Sequence, residues 1–258
     1  MTATLPARLA WAQTVAGQAG ELLMASFRAG VGTEDKGRGI VTELDRRAEA
    51  LIAGALADAF PGDGLLAEEG TARESSSGFR WVVDPLDGTT NYVAGLPMFT
   101  VSLGCLDGEG SALGVIYAPA LDEWHLGLRT DAARVAPPGP TGLERAVFIV
   151  NKAYQRAPVL WEVAGGLMGA IRAFRTLGCV SLDLAWVAAG RVDGLVLMPA
   201  SPWDVAAGLL LVERAGLQAR SLDGAPDPDG SGGILVTTAG LLEPALGLLR
   251  PTALEPGP

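Results

Sequence analysis

Apolar residues recur at three- and four-residue steps near the start of the chain: Leu5, Leu9, Ala12, Val15, Ala19, Leu22 and Phe27, with Gln13, Gln18 and Glu21 between them. That period paints one stripe along a helix, and the interrupting polar residues make it amphipathic and unlike an export signal. A Gly-rich, charged connection runs from Gly30 to Gly39. Thr42 then precedes a second helical pattern through Leu44, Ala48, Leu51, Ile52 and Leu56 to Phe60, which Pro61-Gly62 ends. Here the period changes. Residues 79–83 (FRWVV), 100–106 (TVSLGCL) and 113–117 (LGVIY) are β-branched or aromatic runs bounded by turn residues. The last two, separated by Asp107-Gly108, are expected to pair antiparallel. The Pro/Gly-rich stretch 131–142 (DAARVAPPGPTG) is the best boundary in the chain. Beyond it strands and helices alternate: strand 146–150, helix 157–170, a short strand near 174–177, helix 181–190, strand 193–198, helix 204–215, strand 233–237 and helix 239–249. The pattern predicts an α/β protein with an α+β half over residues 1–138 and an α/β half over 139–258. The tail from Pro251 to Pro258 reads as disordered.

Composition narrows the chemistry. The chain has 258 residues, 49% hydrophobic and with 35 glycines besides, which excludes disorder over most of its length. With 19 basic against 29 acidic residues, a net charge of -10 disfavours nucleic acid and anionic membranes, which need clustered Lys and Arg. The longest apolar stretches, such as 205–212, fall well short of the roughly 20 residues that span a bilayer. Cys105 and Cys179 sit in apolar runs and suggest a reducing, cytoplasmic setting. His125 is the only histidine, so any two-histidine metal site is excluded, and its context in Asp122-Glu123-Trp124-His125 reads as a structural strand after a turn. Carboxylates must do most of the chemistry.

The most informative segment is Trp81-Val82-Val83-Asp84-Pro85-Leu86-Asp87-Gly88-Thr89-Thr90-Asn91, a hydrophobic strand running into two carboxylates and a Gly-Thr-Thr turn. Pro85 biases Asp84 toward an extended backbone, so Asp84 is expected to finish the strand, and Gly88 frees a sharp turn. Thr89 and Thr90 would open a helical turn with N–H and hydroxyl donors for a phosphate. Upstream, Leu65-Leu66-Ala67-Glu68-Glu69-Gly70 puts adjacent acids at the end of a short strand. Downstream, Pro202-Trp203-Asp204 puts an acid ahead of an apolar helix, where Asp also serves as an N-cap. Several carboxylates at strand ends and a helix start are what hard divalent cations need. Mg²⁺ takes few carboxylates plus substrate phosphate, and two ions about 3.5–4 Å apart activate water and stabilise a leaving alkoxide.

WVVDPLDGTTN and, later, PWDVAAG strongly resemble the two signature motifs of the inositol monophosphatase family. Ala67-Glu68-Glu69-Gly70, the segment from Ile40 to Asp45 and the segment from Gly178 to Ala185 extend the resemblance to residues 5–240 or so. It implies a layered αβαβα sandwich, Mg²⁺-dependent hydrolysis of small phosphate monoesters with two or three ions per site, lithium sensitivity and a homodimer. By position, Glu68, Asp84 and the Leu86 carbonyl correspond to ligands of one ion, and Asp84, Asp87 and Asp204 to ligands of a second. Asp87, Gly88, Thr89, Leu197 and Asp204 correspond to substrate contacts, with Gly88 and Thr89 forming the phosphate turn. Glu68, Thr89 and Asp45 correspond to the catalytic group, Thr89 and Asp45 orienting the attacking water. ELDRRAEA, around Asp45, reads equally well as an exposed helix face. Lys36 is implied near the metal and phosphate region.

Three departures bear on substrate. Leu197 stands where inositol-specific members carry a Glu that bonds the sugar ring, Gly39 stands where Asp is frequent, and ERAGL ends the stretch where EAGG is usual. An aliphatic Leu197 beside the leaving group would read a sugar hydroxyl poorly, so relaxed specificity is expected, with inositol 1-phosphate the default substrate. Histidinol-phosphate, fructose-1,6-bisphosphate and nucleotide 3′-phosphate are the alternatives within the class. A catalytically weak metal- or ligand-binding homodimer is the alternative outside it.

Overall fold

The computed structural model describes residues 4–30, 32–35, 40–133, 139–155, 157–222 and 229–249. Lys36, Gly39, residues 134–138 of the proposed boundary and the tail 251–258 lie outside the described residues. The apolar stripe forms α1 (Leu5–Met24), opened by the Thr4 hydroxyl, which accepts the Ala7 N–H at 3.4 Å. A buried ion pair pins this helix: Arg8 donates to Asp63 Oδ1 at 2.8 Å, and the Trp81 indole donates to Asp63 Oδ2 at 3.0 Å. The second pattern forms α2 (Glu43–Ala59). Ahead of it, β1 (Thr33–Asp35) and β2 (Ile40–Thr42) make a two-stranded ribbon.

A six-stranded sheet follows from β3 (Gly64–Ala67), β4 (Ala72–Arg73), β5 (Arg80–Asp87), β6 (Thr100–Asp107), β7 (Gly110–Ala118) and β8 (Glu123–Leu128), in the order β4-β3-β5-β6-β7-β8. The β6 and β7 strands pair antiparallel, as the Asp-Gly turn predicts. A five-stranded sheet is built from β9 (Val147–Asn151), β10 (Ala173–Arg175), β11 (Gly194–Leu197), β12 (Gln218–Ser221) and β13 (Ile234–Thr237), ordered β10-β9-β11-β13-β12. The remaining helices are a short α3 (Thr89–Val93), α4 (Ala157–Ala170), α5 (Val180–Ala188), α6 (Pro202–Arg214) and α7 (Ala239–Leu246). The strands β1, β4 and β12 are short and polar, and β2 has only three residues, which is why apolar periodicity does not reveal them.

The cores show the layering. Alternate residues of β5, β6 and β7, among them Trp81, Val83, Val101, Leu103 and Val115, pack under α1 and α2. The opposite face of that sheet meets α5 and α6, which also cover Ile149, Leu195, Leu197 and Ile234 of the second sheet. The far face of the second sheet, with Phe148, Val150, Val196 and Leu235, packs under α4 and α7. The result is the expected αβαβα sandwich, with α5 and α6 as the central layer.

Two details of packing position the site. Asp84 does not finish its strand: β5 continues to Asp87, and the register jumps from Asp84 opposite Ser102 to Asp87 opposite Thr100. Two residues of β5, Pro85 and Leu86, therefore oppose the single Val101, the count of a β-bulge. Pro85 has no N–H to contribute to the ladder, so the irregularity falls where a paired donor is already missing. In a regular strand residues three apart face opposite sides of the sheet, and the extra residue brings Asp84 and Asp87 to the same side.

That side is the one α6 covers. Gly104 and Gly114 are cross-strand partners, and both lie directly beneath the helix. A Cβ on Gly114 would come within 2.5 Å of the Ala207 carbonyl oxygen, and one on Gly104 within 2.9 Å of the Ala206 Cβ. The bare backbone lets α6 approach closely enough for its first turn to reach β5. Gly114→Ala is expected to destabilise by about 1–3 kcal/mol through overpacking. It should also lower turnover by displacing the first turn of α6. Gly108→Ala, with nothing within 4 Å of its added Cβ, should do neither. Urea unfolding and steady-state kinetics of the two variants check this.

Candidate active site

Three carboxylates converge between β5 and α6. Asp84 Oδ1 accepts the Leu86 N–H at 2.9 Å, inside the bulge. Asp87 Oδ2 accepts the Ser181 N–H and the Ser181 hydroxyl, each at 2.6 Å. Asp204 Oδ2 accepts the Ser201 N–H at 2.8 Å. Ser201 is thus the cap of α6, and Asp204, three residues on, closes a capping box instead of being the N-cap. Each acid commits one oxygen to a backbone donor, which fixes its plane. Ligand oxygens of the three lie within 4.8 Å of one another, and all three side chains are buried.

Glu68 joins from the end of β3, where its N–H donates to the Val83 carbonyl at 3.2 Å. The turn that carries it is gripped by buried Glu49, whose carboxylate accepts the N–H groups of Glu69 and Thr71 at 2.7 and 2.9 Å. Glu68 and Asp84 share a side-chain hydrogen bond. These four acids, Leu86, Gly88 and Thr89 line one cavity of about 270 Å³, together with Asn151, Lys152, Tyr154, Gly178 and Val180. A larger groove of about 680 Å³ beside α6 and β12 contains none of the four.

Gly88 adopts φ +86°, and a Cβ there would come within 2.8 Å of the Met98 carbonyl oxygen, so the turn after Asp87 admits only glycine. Thr89 follows, its hydroxyl 3.1 Å from Asp45 Oδ1 and 3.0 Å from the Leu86 carbonyl oxygen. Asp45 is 1% exposed, so the exposed-face reading of ELDRRAEA is wrong at this position. Its other oxygen closes the capping box of α2, accepting the Thr42 N–H at 2.8 Å and the Thr42 hydroxyl at 2.5 Å.

Leu197 is also placed differently from expectation. It is fully buried in β11, paired with Asn151 on one side and Ile234 on the other, and packs with Ile149 and Val205. Strand alternation turns it into the central apolar layer, and it is absent from the cavity lining. It is a core residue, not a wall of the site. His125 stands on β8, 3.6 Å from the Glu123 carboxylate and lining a different cavity. Glu49, Ser181, Lys152 and Tyr154 escaped the sequence reading. Ser181 lies within a segment that carried the resemblance, yet 94 positions separate it from Asp87, and no local pattern announces the contact.

Burial and crowding dominate the electrostatics. Burial pushes Asp84 well above the usual carboxylate range, and the charges of Glu68, Asp87 and Asp204 push it further. Asp204 is raised by burial and then by Asp87. Burial also raises Asp87, with the Ser181 bonds pulling the other way. Without a cation these acids hold protons more tightly folded than unfolded, so folding takes up protons and stability falls as pH rises past the unfolded value of about 4. Hard oxygen donors, buried and mutually repelling, suit a divalent cation.

The family model described as the inositol monophosphatase family matches residues 7–251. The chain belongs to the inositol monophosphatase family. It is accordingly a metal-dependent phosphatase, from a family that acts on small phosphorylated substrates. An inositol-1-monophosphatase of Mesorhizobium japonicum is 39% identical over 206 residues, covering 76% of this chain and 77% of that protein. A fructose-1,6-bisphosphatase/inositol-1-monophosphatase of Thermotoga maritima is 36% identical over 182 residues, 69% of each chain. Among solved structures, the extragenic suppressor protein suhB of Bartonella henselae superposes with a TM-score of 0.88 at 29% identity, over 96% of this chain and 100% of that one.

In chelator, Asp84→Asn should raise the melting temperature at pH 7–8, because the amide oxygen can still accept the Leu86 N–H while the repulsion is relieved. The gain should shrink as pH falls through and below about 4, where the wild-type acids become protonated in both states. Thermal melts of both proteins in EDTA across this pH range check it.

Proposed function

We propose that this phosphatase uses Mg²⁺ to hydrolyse a small polyol or sugar phosphate monoester, inositol 1-phosphate first among them. The observation that carries the reading is the convergence of Asp84, Asp87 and Asp204 in a cavity also lined by the Gly88-Thr89 turn. Glu68, Asp84 and the Leu86 carbonyl would hold one ion, and Asp84, Asp87 and Asp204 a second. When bound, such ions neutralise the phosphate, acidify a water and stabilise the leaving oxygen.

The chain's own residues supply position. The Thr89 hydroxyl, within reach of Asp45 Oδ1, donates its proton there and accepts one from the attacking water, which aligns the water's lone pair with phosphorus. Asp45 stays in place because the Thr42 cap holds its second oxygen. The N–H groups of Gly88 and Thr89, at a turn no larger residue could make, would donate to the phosphate oxygens. Water forms the new P–O bond, the ester P–O bond breaks, and the leaving oxygen takes a proton to depart as an alcohol beside inorganic phosphate.

With Leu197 in the core, relaxed specificity rests on other residues. Ala153, Gly178 and Val180 line the cavity and offer no side-chain hydrogen-bonding group to a sugar. That part of the wall discriminates weakly among hydroxylated leaving groups, while Asn151, Lys152 and Tyr154 bring polar groups to the rest of the cavity. The name of the Thermotoga relative, which joins a bisphosphate to inositol 1-phosphate, agrees with that breadth. Lithium inhibition, a cytoplasmic setting and a homodimer complete the reading.

Asp87→Asn and Asp204→Asn should each leave the protein folded and cut turnover by more than the roughly 10–100-fold that changes outside the metal's direct ligands typically cause. Phosphate release from inositol 1-phosphate, fructose 1,6-bisphosphate, histidinol phosphate, a nucleotide 3′-phosphate and glycerol 2-phosphate, with and without Mg²⁺, is the direct test. Near-wild-type turnover in either variant would sink the ligand assignment. Mg²⁺ at one hundred times its Kd should stabilise the fold by about 2.7 kcal/mol. If neither a melting shift with Mg²⁺ nor lithium inhibition were seen, a degenerate binding protein would be favoured.

A further inference from the structure

Asp87 is held by more than the metal cluster requires. Its Oδ2 receives the Ser181 N–H and the Ser181 hydroxyl, both at 2.6 Å, and the Thr100 hydroxyl oxygen lies 2.5 Å from the Ser181 hydroxyl oxygen. Both hydroxyl side chains are fully buried. Counting protons gives the chain a direction. A carboxylate only accepts, so the single Ser181 hydroxyl proton goes to Asp87, and the proton between the two hydroxyls comes from Thr100. That commits the Thr100 proton, and the Cys179 thiol, 3.5 Å from the Asp87 carbonyl oxygen, donates there. The geometry depends on the bulge: it puts Thr100 of β6 opposite Asp87, on the face toward α5, where Ser181 is the second residue.

We propose that Thr100 and Ser181 form a directed hydroxyl chain that positions Asp87, occupying Oδ2 so that Oδ1 is the oxygen turned to the cation. The inference rests on the reading of Asp87 as a metal ligand. Neither Thr100 nor Ser181 lines the cavity that gathers the four acids, so both are positioning residues. Two buried hydroxyls cost desolvation that two methyl groups would not, and that cost is offset where they end on a charged acceptor. Polarisation along the chain strengthens the last bond, so Thr100 acts on Asp87 through Ser181. The Ser181 N–H already ties this oxygen, and the hydroxyl chain adds a second donor to it, so a cation meets a preformed ligand instead of ordering one.

The test uses the full chain, free of substrate, and reads Mg²⁺ binding by titration calorimetry and by the rise in melting temperature with Mg²⁺. Ser181→Ala is expected to raise the Mg²⁺ Kd about tenfold, the scale of one lost hydrogen bond to a charged group. Thr100→Val, close to isosteric, should raise it about threefold by leaving the Ser181 bond unpolarised. The double variant should bind as Ser181→Ala does, because Ser181 carries the hydroxyl that meets the carboxylate, and the other contact of Thr100, the Cys179 thiol at 3.6 Å, is a weak sulfur contact that leads to the Asp87 carbonyl oxygen. A folded Ser181→Ala protein with wild-type Mg²⁺ affinity would overturn the proposal, and so would a double variant whose loss is the product of the two single losses. Should Ser181→Ala fail to fold, Thr100→Val decides: unchanged affinity there overturns the chain. If the wild type itself binds no Mg²⁺, the reading of the cluster as a metal site fails. If it binds and the variants bind equally, only the hydroxyl chain fails.

Discussion

The structure is organised around a repulsion. Four carboxylates, from the end of β3, the end of β5 and the first turn of α6, are held in or beside one cavity, where Glu68, Asp87 and Asp204 raise the cost of ionising Asp84, and Asp87 and Glu68 that of ionising Asp204. Nothing in local chain preference favours that arrangement, so the sandwich must hold the acids there against their own charge. The backbone donors at Leu86, Ser181 and Ser201 do part of this by taking one oxygen from each of three acids. The same repulsion, relieved by protons or by a cation, sets the cluster apart from an ordinary polar core as a group of acids that could hold a metal.

Holding the acids together is a packing problem solved by missing side chains. Gly104 and Gly114 let α6 lie on the backbone of β6 and β7, while on its other flank Gly208 leaves room for Leu184 of α5, a Cβ there falling within 2.5 Å of the Leu184 Cβ. The central layer is therefore tight on both sides, and its two helix starts deliver Asp204 and Ser181 to the same place. The β-bulge is the complementary device in the sheet. Without it Asp84 and Asp87 would face opposite layers, and no placement of α6 could reach both.

Legibility differed by the kind of signal. The long helices and the strands β5, β6, β7, β9, β11 and β13 announced themselves because their apolar faces repeat at the period of the element that buries them. The strands β1, β4 and β12 carry polar residues at sheet edges, and β2, Ile40–Thr42, is too short for a period, so none of them leaves such a trace. Asp45 looked ambiguous because a buried acid and an exposed one have the same neighbours in ELDRRAEA, and its burial comes from Thr42 beside it and Thr89, 44 residues away. Leu197 misled for the opposite reason. Its position seven residues before Asp204, where inositol-specific members carry Glu, suggested a role, but strand alternation turned it into the central layer.

What the sequence determined by itself was the inventory: which segments are helix or strand, the Gly88 turn, the carboxylates of the two motifs, and through them the family. These are local properties, written in side-chain period and in conformations that only certain residues adopt. What only the tertiary structure decided was adjacency. Residues 45, 68, 84, 87, 100, 181 and 204 come together because two sheets share one helical layer, and the hydroxyls of Thr100 and Ser181 acquire a meaning only when both are placed against Asp87. Contacts across such separations depend on how whole faces pack, and a single chain read residue by residue does not specify which faces will meet.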